Sequence, residues 1–436
     1  MAFLGIDVGG SFLKGTILEP GSNDLLNVER RVGPELDTFE PLARTLNPKK
    51  LVSSVTGLIE DLSTQTKSVE GILLSGQMHG VVLCDLNGDA HGPIITWQDN
   101  RDTQLSGESS SLDQLRTRLS PNDQLATGNE LRSGLPVSTL FRLLNEGLSL
   151  KGKVPASLLS YCASQLVSPN PKQLTMHTTD AAAHGMLDLA TEHWHTPTLE
   201  AAGLGELSLP LVSSDLIVIG QSKSIGCPVY TAVGDHQASL LGVGLEYGEL
   251  SINIATGSQV SILASSPTGV TGQTRPYSHE SLLRTITHLP AGRSLNALLA
   301  LLTQLGGPKG DELWSIMASE VANTPTTTAE ADIQFFSGPR GSYGALNHLT
   351  EETLTVGHLM RSAINTMVNN YVSAASAITT GLPVERLVLS GGLVQRFMPL
   401  QEAISQAFDG LPMRICMDED ASLKGLQVLA SEIANR

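Results

Sequence analysis

The feature that most constrains this chain is a local plan that occurs twice. Near the start, IDVGGSFLKGTI gives a strand over Phe3–Val8, a small-residue turn at Gly9-Gly10-Ser11 and a second strand over Leu13–Leu18. About 245 residues later, NIATGSQVSIL has the same order: a strand over Leu250–Ala255, a turn at Thr256-Gly257-Ser258 and a strand over Val260–Leu263. Short apolar runs broken by glycine form antiparallel hairpins. Two such hairpins this far apart predict two related domains, 1–245 and 246–436, and 436 residues is long enough for both.

Strands and helices alternate through most of the remainder. Leu51–Leu62 has helical spacing, Gly71–Ser75 and Val229–Val233 are buried-strand candidates, and a helix is expected from Ala238. Arg386–Ser390 is a further apolar strand, ending in Gly391-Gly392 ahead of a helix from about Met398. This alternation predicts an α/β fold. The region 102–171, rich in Ser, Asn, Gln and Leu, reads as helical insertions such as Leu135–Leu144.

Charge narrows the partners. Forty-three acidic against 27 basic residues give a net charge of −16, which repels phosphate backbones and leaves no basic stripe for nucleic acid or an anionic membrane. Small molecules are the expected ligands. Asp7 interrupts the first apolar run before a signal-peptide core forms, no long apolar span follows, and Cys84, Cys162, Cys227 and Cys416 make no CxxC pair. A cytoplasmic protein is expected. His177, His184, His193 and His195 show no HExxH spacing, so no metalloenzyme reading is supported.

Several residues carry chemistry. The first turn offers backbone N–H groups, the Ser11 hydroxyl and the Lys14 charge to a phosphate, with Asp7 placed to hold magnesium through water; the same residues also suit a plain hairpin with a surface lysine. Asp235 ends a strand ahead of a helix, where a carboxylate is either a helix cap or a base for a substrate hydroxyl. Gln77, Met78 and His79 follow one strand, and Trp97, Asp99 and Arg101 follow a strand over Pro93–Thr96. Together they supply the donors, acceptors and apolar faces that a polyol needs.

The ordered segments IDVGGSFLKG, SGQMHG, TWQDNR, TDAAAHGMLDLATEHW, GDHQAS, NIATGSQVS and LVLSGGLVQR resemble the FGGY carbohydrate kinases, relatives of actin, hexokinase and Hsp70. The resemblance runs along essentially the whole chain. It implies two ribonuclease-H-like domains with ATP and sugar in the cleft between them. Asp7 would organise Mg-ATP, with Gly10, Ser11 and Lys14 as first phosphate loop and Thr256, Gly257 and Ser258 as second. Gly391 and Gly392 would pack beside the adenosine. Gln77, Met78, His79, Trp97 and Asp99 would contact sugar, with Asp235 as catalytic base. Two departures stand out: Thr139 and Arg142 occupy positions where the family usually carries lysine and tryptophan, and Gln395 or Arg396 replaces an asparagine near the nucleotide. The C-terminal segments resemble sedoheptulose-phosphorylating members more than those acting on xylulose, gluconate or glycerol. The expected partner is therefore a small-molecule sugar, with a second copy of the chain compatible with this reading. The competing class is a non-catalytic sugar or nucleotide sensor on the same fold; retained Asp7, Lys14 and Asp235, and no appended helix-turn-helix, argue against it.

Overall fold

The computed structural model describes residues 2–169, 173–266, 271–278, 281–336, 343–418 and 420–436. Its contacts divide the chain into two units: Met1–Gly244 with Thr274–Leu282 and Asp420–Arg436, and Leu245–Gln273 with Leu283–Glu419. The sequence expectation assigns everything after residue 245 to the second domain. Residues 274–282 and 420–436 instead return to the first unit. The helix Ala421–Ala434 buries Leu423, Leu426 and Ala430 against Phe3, Leu18, Leu73 and Val233, a pairing that no local pattern announces.

The first unit is built on a mixed sheet in the order Val167–Ser168, Val218–Ser222, Pro228–Tyr230, Gly71–Gly76, Phe3–Val8, Phe12–Leu18, Leu26–Val32, with Val233–Gly234 also on Gly71–Gly76. Side chains alternate across a strand. In FLGIDV, Leu4, Ile6 and Val8 therefore face Val55, Leu58, Ile59 and Leu62 of the helix Pro48–Ser63. Phe3 lies on the opposite face, in the cluster of the C-terminal helix, and the alternation puts Asp7 there with it. Asn47 caps the helix Pro48–Ser63 by accepting from the Lys49 and Lys50 amides.

The span 102–171 is less helical than expected. It does contain the helices Ser111–Arg118, Pro121–Ala126, Pro136–Asn145 and Leu158–Leu166, but Val154–Ser157 is a strand paired with Val81–Cys84. VPAS offers one β-branched residue and a proline, too little to signal a strand; the pairing supplies the rest. Likewise the expected strand Val229–Val233 is two short ones, Pro228–Tyr230 and Val233–Gly234, the break falling where Thr231 N–H turns to Ile217 O at 2.9 Å.

The second unit repeats the plan. Glu249–Ile254 pairs antiparallel with Ser258–Ala264 and parallel with Arg386–Ser390, which in turn pairs with Met413–Ile415. The long helix Val356–Ile378 packs Met360, Ala363, Ile364, Met367 and Tyr371 into this unit's core with Leu250, Ile252, Val260 and Leu389.

Candidate active site

In the first unit three strands run parallel and end level. Val8 pairs with Gly76 and Gly76 with Gly234, so Asp7, Gln77 and Asp235 lie at neighbouring strand ends. That is where ligands bind on open α/β sheets. Asp7 is buried: Ser75 Oγ donates to its Oδ1 at 3.2 Å and Ser422 Oγ to its Oδ2 at 2.7 Å. Burial raises its pKa against the pull of Ser422, Lys14 and Ser75. Lys14 stands opposite Asp7 in the hairpin register, and its Nζ lies 3.1 Å from Asp420 Oδ1, with Arg30 Nη2 2.8 Å from Oδ2.

Asp235 opens the helix Asp235–Gly242, but Gly234 is the cap. The capping alternative is thus set aside by geometry: Asp235 is the first helical residue, partly exposed, with Oδ1 accepting from the His236 N–H at 2.8 Å. Although the residue is partly exposed, loss of water around its carboxyl first, then the Asp7 charge, push its pKa up to about 7. A carboxylate with that pKa can take a proton near neutral pH.

Gly10 and Ser11 are exposed at the hairpin tip, which Gly9 closes by donating to Phe12 O at 3.1 Å. Gln77 N–H continues the strand by donating to Val8 O at 3.0 Å. Met78 is buried beneath Gly234, where an added Cβ would lie 2.7 Å from its Sδ. His79 is buried with φ +67°, its Nε2 3.1 Å from Glu130 Oε1. Gly80 packs against Ile95 O and Thr96, joining this segment to the next one. There Trp97 is half-buried, its carbonyl in close approach to Gly134. Asp99 is almost wholly buried and accepts from Arg44 N at 2.9 Å and from Arg101 Nε at 3.0 Å on each oxygen. It orients Arg101, whose guanidinium lies 5.4 Å from the Phe39 ring centre.

The second unit holds the other sequence-derived positions together. Asn253 and Ser390 are register partners on adjacent parallel strands, joined by Asn253 Nδ2 donating to Ser390 Oγ at 2.9 Å. The turn Thr256-Gly257-Ser258 follows one strand and Gly391-Gly392 the other. Gly391, at φ +96°, lets the chain turn against Ile254, where an added Cβ would lie 2.3 Å from Ile254 O. Thr256 and Gly257 are exposed, and Thr256 O accepts from Arg293 N at 2.9 Å. The Ser258 hydroxyl is fully buried and 2.7 Å from Tyr371 Oη, so this turn offers the Thr256 hydroxyl and backbone amides. Gln395 directs its amide to Cys416 O at 2.7 Å. Thr139 and Arg142 are buried in the helix Pro136–Asn145, where Arg142 pairs with Glu146.

Sequence reasoning missed Ser75, Glu130, Arg275, Asp420 and Ser422. Ser75 adjoins the motif SGQMHG and so carried a signal. The others are bound to their partners only by tertiary structure, Asp420 and Ser422 across some four hundred residues.

Residues 2–242 match the FGGY family of carbohydrate kinases, N-terminal domain. The sedoheptulokinase of Homo sapiens is 25% identical over 498 residues, covering 99% of this chain and 98% of that protein. The xylulose kinase of Klebsiella pneumoniae is 25% identical over 268 residues, 58% of this chain and 53% of that protein. A ligand-bound xylulose kinase structure from Lactobacillus acidophilus matches with TM-score 0.86 at 17% identity, covering 100% of this chain and 89% of that one. A Plasmodium falciparum glycerol kinase with ADP matches with TM-score 0.80 at 16% identity, covering 98% of this chain and 88% of that one. These structures share the fold, two ribonuclease-H-like domains of the actin and hexokinase type. No described helix is long and apolar enough to cross a membrane. With more than half of its length matched, the chain belongs to the FGGY family of carbohydrate kinases, enzymes that use ATP to phosphorylate sugars.

Proposed function

We propose that the chain phosphorylates the terminal hydroxyl of a ketose, with D-sedoheptulose the preferred substrate and sedoheptulose 7-phosphate the product. Coverage carries the choice of sugar: human sedoheptulokinase aligns with 99% of this chain, the Klebsiella xylulose kinase with 58%. Xylulose is the second reading, favoured by the number of xylulose kinases among the relatives. Buried free thiols at Cys84, Cys162 and Cys227 suit a reducing cytoplasm.

In this reading Asp235 accepts the hydroxyl proton as the oxygen attacks the γ-phosphorus, and the bond to the ADP oxygen breaks. Positioning and charge do most of the work in such transfers. Gly10, Ser11 and Lys14 are the phosphate-binding groups of the first unit, Thr256, Gly257 and the backbone of Ser258 those of the second, and Gly391 and Gly392 take the adenosine. Gln77, Met78, His79, Trp97 and Arg101 face the sugar, with Asp99 acting through Arg101.

Magnesium fits the donor set. Asp7 is one buried carboxylate held by two hydroxyls, and among the described residues no group of three or more His, Cys, Asp or Glu could hold a metal alone. Magnesium keeps several waters and takes one or two carboxylates together with substrate phosphates. Held through water at Asp7, it would supply charge neutralisation of the transferring phosphoryl group.

The test is sugar-dependent ADP release over four- to seven-carbon ketoses, aldoses and polyols. A kcat/KM for sedoheptulose below that for xylulose overturns the sugar assignment. ADP release with no dependence on any sugar favours the sensor reading.

A further inference from the structure

We propose that Glu130 and Arg275 form a buried clamp that places the proton of both His79 and His236 on Nε2, so that His79 offers an accepting Nδ1 to a hydroxyl of the sugar. The sugar part rests on the ketose-kinase reading; the clamp itself does not. Glu130 and Arg275 act as positioning residues.

The clamp begins in the backbone. Gly128 has φ +91°, and Thr274 N donates to its carbonyl at 2.9 Å. A Cβ at Gly128 would lie 2.4 Å from Thr274 O, so only glycine allows the two segments to touch. That contact sets Glu130 beside Arg275: Arg275 Nε donates to Oε2 at 3.1 Å and Nη2 donates to Oε1. Both side chains are almost wholly buried. Arg132 Nε lies 3.6 Å from Oε1.

The protons follow from donor and acceptor capacity. Arg275, His79 and Arg132 overcome the burial of Glu130 and hold its pKa well below the ordinary value, so the group is ionised and can only accept. His79 Nε2 lies 3.1 Å from Oε1 without hydrogen-bond geometry, and a bare lone pair held that close to an ionised oxygen would be repelled, so Nε2 carries the hydrogen. Burial, with Arg132 and Arg275 nearby, pushes the His79 pKa down to about 4 in spite of Glu130. The neutral ring then has its lone pair on Nδ1. Arg275 Nη1 lies 3.1 Å from His236 Nδ1. A guanidinium never accepts, so His236 Nδ1 does, and its proton is on Nε2. The left-handed backbone of His79 is a conformation that non-glycine residues rarely keep without surrounding constraint. The contact of its ring with Glu130 restrains the side chain that this backbone carries.

The test reads the tautomers directly by two-bond proton–nitrogen correlation on histidine-labelled protein near neutral pH. Both rings should show the Nε2–H pattern; Nδ1–H at either one overturns the clamp. Kinetically, Glu130→Gln should raise the sugar KM about tenfold while the ATP KM stays within about twofold. Because that change leaves buried arginines unopposed, Glu130→Gln/Arg275→Gln is measured beside it and should show the same split. Equal rises in both KM values, or an unchanged sugar KM, overturn the role in sugar positioning. If no ketose supports ADP release, the substrate reading fails while the tautomers still decide the clamp.

Discussion

At Asp235 two local forces oppose each other, and their balance sets the chemistry. A carboxylate in the first turn of a helix is ordinarily favoured in its charged form by the helix dipole. Here burial and the Asp7 charge outweigh that help and the His236 N–H, and the pKa stands at about 7 rather than 3.8. A base must be ionised to accept a proton, so kcat/KM for the sugar should rise with pH to a plateau above about 7. Asp235→Asn keeps the shape and loses the basicity; turnover should fall about a hundredfold or more, and nucleotide binding should persist. Stability should move the other way. As pH rises from about 4 to about 7 the unfolded chain gives up this proton while the folded chain retains it, so ionisation progressively destabilises the fold and the loss is complete above about pH 7. Asp235→Asn should therefore melt higher than the parent at about pH 8. A variant of near-normal turnover, or one that melts no higher, contradicts the account.

At the scale of elements, one helix crossing sets the base and its neighbours. The helices Asp235–Gly242 and Ala421–Ala434 touch backbone to backbone: a Cβ on Gly425 would lie 1.9 Å from Ala238 O, and one on Gly242 the same distance from Ala421 O. No side chain fits there without parting the helices. Gly425→Ala should cost about 1–3 kcal/mol in chemical denaturation, the range of overpacked cores. Gly205→Ala, where an added Cβ meets nothing within 4 Å, should stay within about 0.5 kcal/mol. Equal effects at both positions would refute the crossing. This crossing also marks the limit of what the sequence discloses. Phe3–Val8, Gly71–Gly76 and Arg386–Ser390 were legible because continuous apolar runs between turn residues have few alternatives. The strand-end positions of Asp7 and Gln77 followed from the first two, whereas that of Asp235 followed from the expected strand Val229–Val233, of which Val233–Gly234 is the part that reaches it. Val154–Ser157 was not legible, since its strand character comes from its partner. Nor was the engagement of Ser258 with Tyr371, because a hydroxyl beside a glycine turn looks the same in sequence whether it faces solvent or core.

For the whole molecule, the consequential fact is that the first unit is assembled from three pieces of chain, the last of them Asp420–Arg436. This piece gives Ser422 to Asp7 and Asp420 to Lys14 and Arg30, and it buries Leu423, Leu426 and Leu429 against Phe3, Leu18 and Leu73. At about 1.5–3 kcal/mol for each large apolar side chain, three leucines alone contribute an amount comparable with the whole stability of a typical domain, about 5–15 kcal/mol. The buried core cluster of the second unit, by contrast, runs from Leu250 to Ile404 and includes none of these residues. Removing residues 420–436 should therefore act selectively. In hydrogen exchange, amides of Phe3–Val8 and Gly71–Gly76 should lose protection by several orders of magnitude, whereas those of Glu249–Ile254 and Arg386–Ser390 should keep theirs. Sugar-dependent turnover should vanish, because Asp7 and Lys14 lose partners that hold them. Protection retained in the first unit, or lost equally in both, would show that the C-terminal helix is not part of that unit's core.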